Sequence, residues 1–213
     1  RELNEVDSER HALRYARMDQ RVELDVEDMD SALRRVVSAL TGRAAKRGES
    51  LRAVGVTSQA QTFTLLDEDR APIMPFVSWM DKRAVESCGE VSRKLAALDF
   101  AEHASFHEPA PYLQVSLINH VRLETPRLFE RCRHVLPLPS RLVERLTGVT
   151  ATDRNLAAMT GLYSMRDDSW WAPALDVCGL EKDVLPDCLP TGTPAGTTKR
   201  ALADYGIEDG VPV

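Results

Sequence analysis

VGVTSQAQTFTLLDED, residues 54–69, holds two apolar runs with a polar elbow between them. Val54, Gly55 and Val56 read as the inside of a buried strand within Leu51 to Thr57, and Gln61 to Asp67 reads as a second strand. The link, Ser58-Gln59-Ala60-Gln61, has none of the Asn-Gly or Asp-Gly chemistry of a tight surface hairpin. A chain that carries two glutamines to the end of a buried strand and turns at once into another presents polar groups at the end of a sheet. In α/β proteins ligands lie in crevices at strand ends. Glutamine amides both donate and accept, which suits a hydroxyl-rich ligand.

Outward from this elbow, the pattern alternates strands and helices. Residues 1–24 alternate loosely and predict one or two strands with a polar bend. Asp25 is placed to cap a helix from Val26, with acidic residues in its first turns and Leu33, Val36, Val37, Leu40 and Ala44 on one face. Gly48 is placed to end it. Ile73 to Trp79 is a third extended run, and Pro72 and Pro75 predict that it is an edge or irregular strand. Asp81 can cap a helix to about Leu98 with Val85, Cys88, Val91, Leu95 and Leu98 on one face. Residues 99–113 read as irregular. Helices are predicted from Gln114 to Glu124, from Pro126, from Ser140 to Leu146 before Gly148, from the Ser169 cap to Val177 before Gly179, and from Thr198 to Tyr205 before Gly206. His134-Val135-Leu136 reads as a short buried strand. Gly210-Val-Pro-Val213 reads as the start of another, which predicts that the polypeptide continues. The first 80 residues are strand-rich and residues 81–213 helix-rich, so the class is α/β or α+β.

Composition narrows the function classes. The chain has 213 residues, 43% hydrophobic and 28% charged, with a formal net charge of −6. That is a globular composition, and its acidity argues against a nucleic-acid partner. There is no apolar run of about 18 residues to span a bilayer, and the charged N-terminus RELNEVDSER does not read as a signal peptide. The four cysteines include no Cys-x-x-Cys pair, so reduced thiols and a cytoplasmic location are expected. His103 and His107 stand at helical spacing, but the pattern is not His-Glu-x-x-His, and no metal site is predicted.

No complete catalytic apparatus is visible. There is no Gly-x-x-x-x-Gly-Lys-Thr, Gly-x-Gly-x-x-Gly or Gly-x-Ser-x-Gly. The loop Thr191 to Thr198 could cradle an anion ahead of the last predicted helix, but Pro194 removes an amide donor and an ordinary loop is the plainer reading. The sugar-site reading rests on the two glutamines, on Trp79, whose indole suits the apolar face of a sugar, and on Asp81, which can accept from hydroxyls. The same residues have plainer readings: Trp79 as core, Asp81 as an N-cap, the glutamines as solvated.

VGVTSQAQTFTLLDEDRAPIMPFVSWMDKRA, residues 54–84, resembles a signature stretch of the FGGY carbohydrate kinases, in which a Gln-containing strand end is followed by a hairpin and Trp-x-Asp-x-Arg. Here that motif is Trp79-Met80-Asp81-Lys82-Arg83. HVLPLPSRLVERLTGVTATDRNLAAMTGLYSMRDDSWWAPAL, residues 134–175, and GLEKDVLPDCLPTGTPAGTTKRALADYGIEDGVPV, residues 179–213, are similar to later family segments, in the family's order. The resemblance implies a ribonuclease H-like lobe of an actin-like ATPase fold, a mixed sheet flanked by helices. It implies ATP- and Mg²⁺-dependent phosphorylation of a sugar or polyol hydroxyl by the parent protein, with this chain as a partial N-terminal, sugar-side lobe over residues 1–213.

On this resemblance the substrate-binding residues are Gln59, Ala60, Gln61, Trp79, Asp81 and Tyr112. Ala60 and Gln61 stand where many pentulose kinases have Met-His and glycerol kinases Arg-Glu, so neither specificity transfers. Trp79 falls on the family Trp that lines the substrate, and Tyr112 looks like a Tyr that contacts substrate in glycerol kinases. Asp153 and Thr160 match structural positions. The family's Asp-x-Gly-Thr-Thr phosphate loop is expected before Arg1 and the catalytic base after Val213, so no catalytic residue, no metal ligand and no bound cofactor is expected in this chain. It is expected to be inactive alone, with a non-catalytic sugar-binding or regulatory module as the alternative. Unpaired strand edges predict a possible homo-oligomer.

Overall fold

The computed structural model describes residues 4–200 and 205–213. Two short strands, β1 (Tyr15–Met18) and β2 (Arg21–Leu24), form a hairpin around Asp19, whose φ is 51°. Helix α1 (Val26–Lys46) follows, capped by the Asp25 carboxylate, which accepts from the Glu27 and Asp28 amides. Arg43 and Lys46 complement the dipole in its last turn.

The elbow leads into β3 (Phe63–Leu66), and the chain returns as β4 (Phe76–Val77). Strand β5 (His134–Pro137) completes a five-stranded sheet in the order β1-β2-β4-β3-β5, antiparallel at every pairing. A parallel pair, β6 (Ala151–Asp153) with β9 (Asp187–Leu189), and a hairpin of β7 (Tyr163–Ser164) with β8 (Ser169–Trp170) stand apart from it. The helices are α2 (Cys88–Ala96), α3 (Phe100–His103), α4 (Gln114–Glu124), α5 (Pro126–Phe129), α6 (Leu138–Thr147), α7 (Arg154–Ala158) and α8 (Ala172–Cys178).

The main core lies between this sheet and α2, α4 and α8. Phe63, Leu65, Val77, Val91, Leu95, Leu117 and Leu175 belong to one buried cluster. Each such side chain contributes about 1.5–3 kcal/mol by leaving water. Helix α4 is buried on nearly all sides, including the polar Ser116 and Asn119. The N-terminal half is stitched to α6 by charge: Arg141 pairs with Asp30 of α1 at 2.6 Å and with Glu144 at 2.9 Å, while Arg70, in a left-handed turn, reaches the same Glu144.

Several expected elements change. Leu51 to Thr57 is extended but joins no strand among the described residues, with one backbone bond, from the Val54 N–H to the Pro212 carbonyl at 2.8 Å. Its alternation is real, since Val54 and Val56 pack against the cluster of Leu146, Tyr205 and Val211. A groove of about 360 Å³ runs beside it, lined by Val54, Val56, Val143, Leu156, Leu189 and Pro212. Strand β4 is interior rather than an edge, because Pro72 and Pro75 lie outside its two paired residues. Helix α2 is shorter than predicted, which leaves Val85 and Leu98 about half exposed. Ser169 does not cap a helix. It pairs in β8 with Ser164, and α8 starts only after Trp171, with a proline in its first turn. His107 lies outside α3, so the two histidines do not share a helix, and the His103 Nδ1 meets the Ser164 hydroxyl at 2.8 Å. Of the predicted Thr198–Tyr205 helix, residues 201–204 lie outside the described residues. Thr197, just ahead of that stretch, bridges to Pro212.

Gly148 ends α6 in the left-handed conformation, as its position predicts. Gly161 carries a tighter demand. Its φ is +76°, and a Cβ there would stand 2.8 Å from the Val115 Cγ1 of α4. Gly161→Ala is therefore expected to cost about 1–3 kcal/mol. The check is a lower urea midpoint at unchanged slope.

Candidate functional site

The elbow Ser58–Thr62 departs from the extended segment and is pinned by side chains rather than by a tight turn. Gln61 has φ 65°, unusual for a residue with a Cβ. Its side chain is 6% exposed and holds a protein partner at each end of the amide. The Oε1 accepts from the Gln114 N–H at 2.9 Å, and the Nε2 donates to the Met159 carbonyl. The next residue, Thr62, is buried, and its hydroxyl accepts from the Trp79 N–H at 3.1 Å. The Gln59 Nε2 donates to the Tyr15 hydroxyl of β1 at 3.1 Å. Ala60 is half-buried.

Trp79 is 50% exposed and Tyr112 is 46% exposed. Both are therefore available to stack, and neither is core. The chain has three tryptophans, and the other two, Trp170 and Trp171, are buried. Trp79 leaves the sheet at the end of β4, and Tyr112 stands just ahead of α4. The elbow thus holds the backbone at Trp79 through Thr62 and the backbone at Gln114, two residues after Tyr112, through Gln61.

Asp81 is fully buried. Its carboxylate accepts from the Val22 N–H at 2.7 Å, from the Arg83 N–H at 2.9 Å and from the Arg83 guanidinium at 2.8 and 2.9 Å. Arg83 also pairs with Glu23 of β2 at 2.6 Å. Asp81 therefore fastens the Trp79 turn to the β1–β2 hairpin and has no free face. Spacing shows an acceptor at positions 61 and 81. It does not show which distant donors consume it.

His120 of α4 lies nearby, its Nδ1 3.0 Å from the Ser87 hydroxyl. Burial, with Arg83 and Arg21 adding to it against the opposing pull of Glu124, holds its pKa below the usual histidine range. His134 is lowered in the same way, by burial and then by Arg70. The cysteines offer no nucleophile. All four are free thiols, and burial pushes Cys132 up to about 11 and Cys178 up to about 12.

Among the described residues no group of three or more His, Cys, Asp or Glu side chains could hold a metal ion. The sequence has no glycine-rich phosphate loop either. No step of phosphoryl transfer is assigned to the described residues. Among the described residues no helix is long and apolar enough to cross a membrane.

The family model for the N-terminal domain of FGGY carbohydrate kinases matches residues 2–213. The chain belongs to the FGGY family of carbohydrate kinases. Among its curated relatives, the glycerol kinase of Thermococcus gammatolerans is 26% identical over 185 residues, covering 85% of this chain and 37% of the relative. Among solved structures, the xylulose kinase of Rhodospirillum rubrum superposes with a TM-score of 0.88 at 20% identity, covering 94% of this chain and 42% of that one. The Plasmodium falciparum glycerol kinase with ADP superposes at 0.80 and 18% identity, covering 99% and 42%. At these identities the superpositions show the FGGY fold, and the expected α/β lobe with a sheet flanked by helices agrees with them. The chain spans about two fifths of the length of these relatives.

Two outcomes follow. Asp81→Ala is expected to lose about 3 kcal/mol in denaturant unfolding, because it leaves the Val22 and Arg83 amides unpaired and the buried Arg83 guanidinium with Glu23 alone. A solvated Asp81 would give almost no change. The lowered histidines mean that the unfolded chain binds protons more readily than the folded one. Stability is then full above about pH 6.5 and falls as pH drops below it. The urea midpoint should decline on acidification from pH 7.5 to 5.5, and less steeply in His120→Gln.

Proposed function

We propose that this chain is the substrate-side part of an ATP-dependent kinase that phosphorylates a hydroxyl of a small sugar or polyol. The family match over residues 2–213 carries this reading. Relatives named as glycerol kinases and xylulose kinases support a polyhydroxylated substrate, and the ADP in one neighbour's structure supports ATP as the phosphoryl donor. Mg²⁺ is the expected metal, since phosphoryl transfer proceeds through positioning and neutralisation of phosphate charge.

In this reading the half-exposed Trp79 and Tyr112 form the walls against which the apolar face of the sugar lies. Gln59, whose Nε2 is held by the Tyr15 hydroxyl, accepts from a sugar hydroxyl through its Oε1, and the small Ala60 leaves room beside it. Asp81 serves the site indirectly, by holding the turn below Trp79.

The second reading is a binding module without catalysis. Both readings hold that these 213 residues bind but do not turn over, and calorimetry against pentuloses, polyols and aldonates tests the shared part. Trp79→Ala should weaken the best binder about tenfold, as loss of an aromatic platform does. Metal-dependent ATP consumption by the 213-residue chain with a sugar would overturn the inactivity. ADP release by a longer polypeptide containing these residues, in the presence of one of the sugars, separates the kinase from the module.

A further inference from the structure

The elbow carries a residue whose chemistry suggests a ligand and whose geometry argues otherwise. Gln61 is buried and left-handed, and its amide is used at both ends: the oxygen by the first residue of α4, the nitrogen by the Met159 carbonyl. A glutamine in contact with a sugar keeps at least one amide edge open. We infer that Gln61 is a positioning residue that does not touch the sugar but fixes the spacing of its two aromatic walls.

The route is short. Through the Gln114 N–H, Gln61 anchors the start of α4, just after Tyr112. Through the backbone it sets Thr62, whose hydroxyl holds the Trp79 N–H. Through Met159 it ties both to the turn that follows α7. One side chain thus references Trp79 and Tyr112 to a common point. The inference rests on the sugar-cleft reading above and sharpens it: at this elbow, discrimination among sugars falls to stacking and to Gln59, not to Gln61.

Gln61→Asn tests it. Asparagine tolerates the left-handed backbone, and its shorter side chain cannot span both partners. Gln61→Glu is the second variant, since it keeps the acceptor for Gln114 but loses the donor to Met159. Calorimetry on the intact chain, with a panel of sugars and their single-deoxy analogues, should show every affinity falling by a common factor, about tenfold for Asn and at least as much for Glu, whose carboxylate faces the Met159 carbonyl. A loss confined to sugars carrying one particular hydroxyl would mean direct contact and would overturn the inference. So would unchanged affinities. A second arm needs no sugar. Acrylamide quenching reports Trp79, because Trp170 and Trp171 are buried. Its quenching constant should change in Gln61→Asn, and an unchanged constant overturns the inference on its own. If the unaltered chain binds no sugar while Trp79 responds, the cleft reading fails and the positioning of Trp79 stands.

Discussion

The Gln61 amide is the constraint on which the rest of the site depends. A left-handed backbone costs a residue with a Cβ roughly 1–2 kcal/mol. Two buried amide hydrogen bonds, each worth about 1 kcal/mol net, offset that cost. The elbow is therefore held by a side chain that reaches partners 53 and 98 residues away in sequence. That contact adds to the core packing that already joins β4 and α4.

Charge does similar work elsewhere. Asp81, Arg83 and Glu23 join the Trp79 turn to the first hairpin, and Asp30, Arg141, Glu144 and Arg70 join α1, α6 and the β3–β4 turn. Buried pairs of this kind add little net stability relative to apolar packing of the same volume, but breaking one partner is costly. Their role here is to set register. Each cluster contains members from elements that are far apart in sequence, so it forms only when those elements are correctly placed.

What could be read from the residues alone follows this division. Helix α1 was legible because Asp25, the acidic first turn and the apolar spacing all lie within the helix itself. Gly148 and the proline opening α5 were legible for the same reason. Leu51–Thr57 has the alternation of a strand and lacks the ladder, because alternation reports which face is buried and not whether a neighbour is present. Ser169 reads locally as a cap, but pairing with Ser164 claims it first. At the site, polarity at Gln61 and Asp81 was legible. That the polarity is spent internally was not, because the donors come from Gln114, Val22 and the Arg83 side chain as it folds back.

The extended stretch ahead of the elbow adds one consequence. Residues 51–57 are held by Val54 and Val56 and by a single backbone bond at Pro212, and the same three residues line the groove beside them. The elbow is thus anchored firmly downstream and loosely upstream. A molecule seated in that groove would bear on Val54 and Val56, and so on the segment that leads into the elbow.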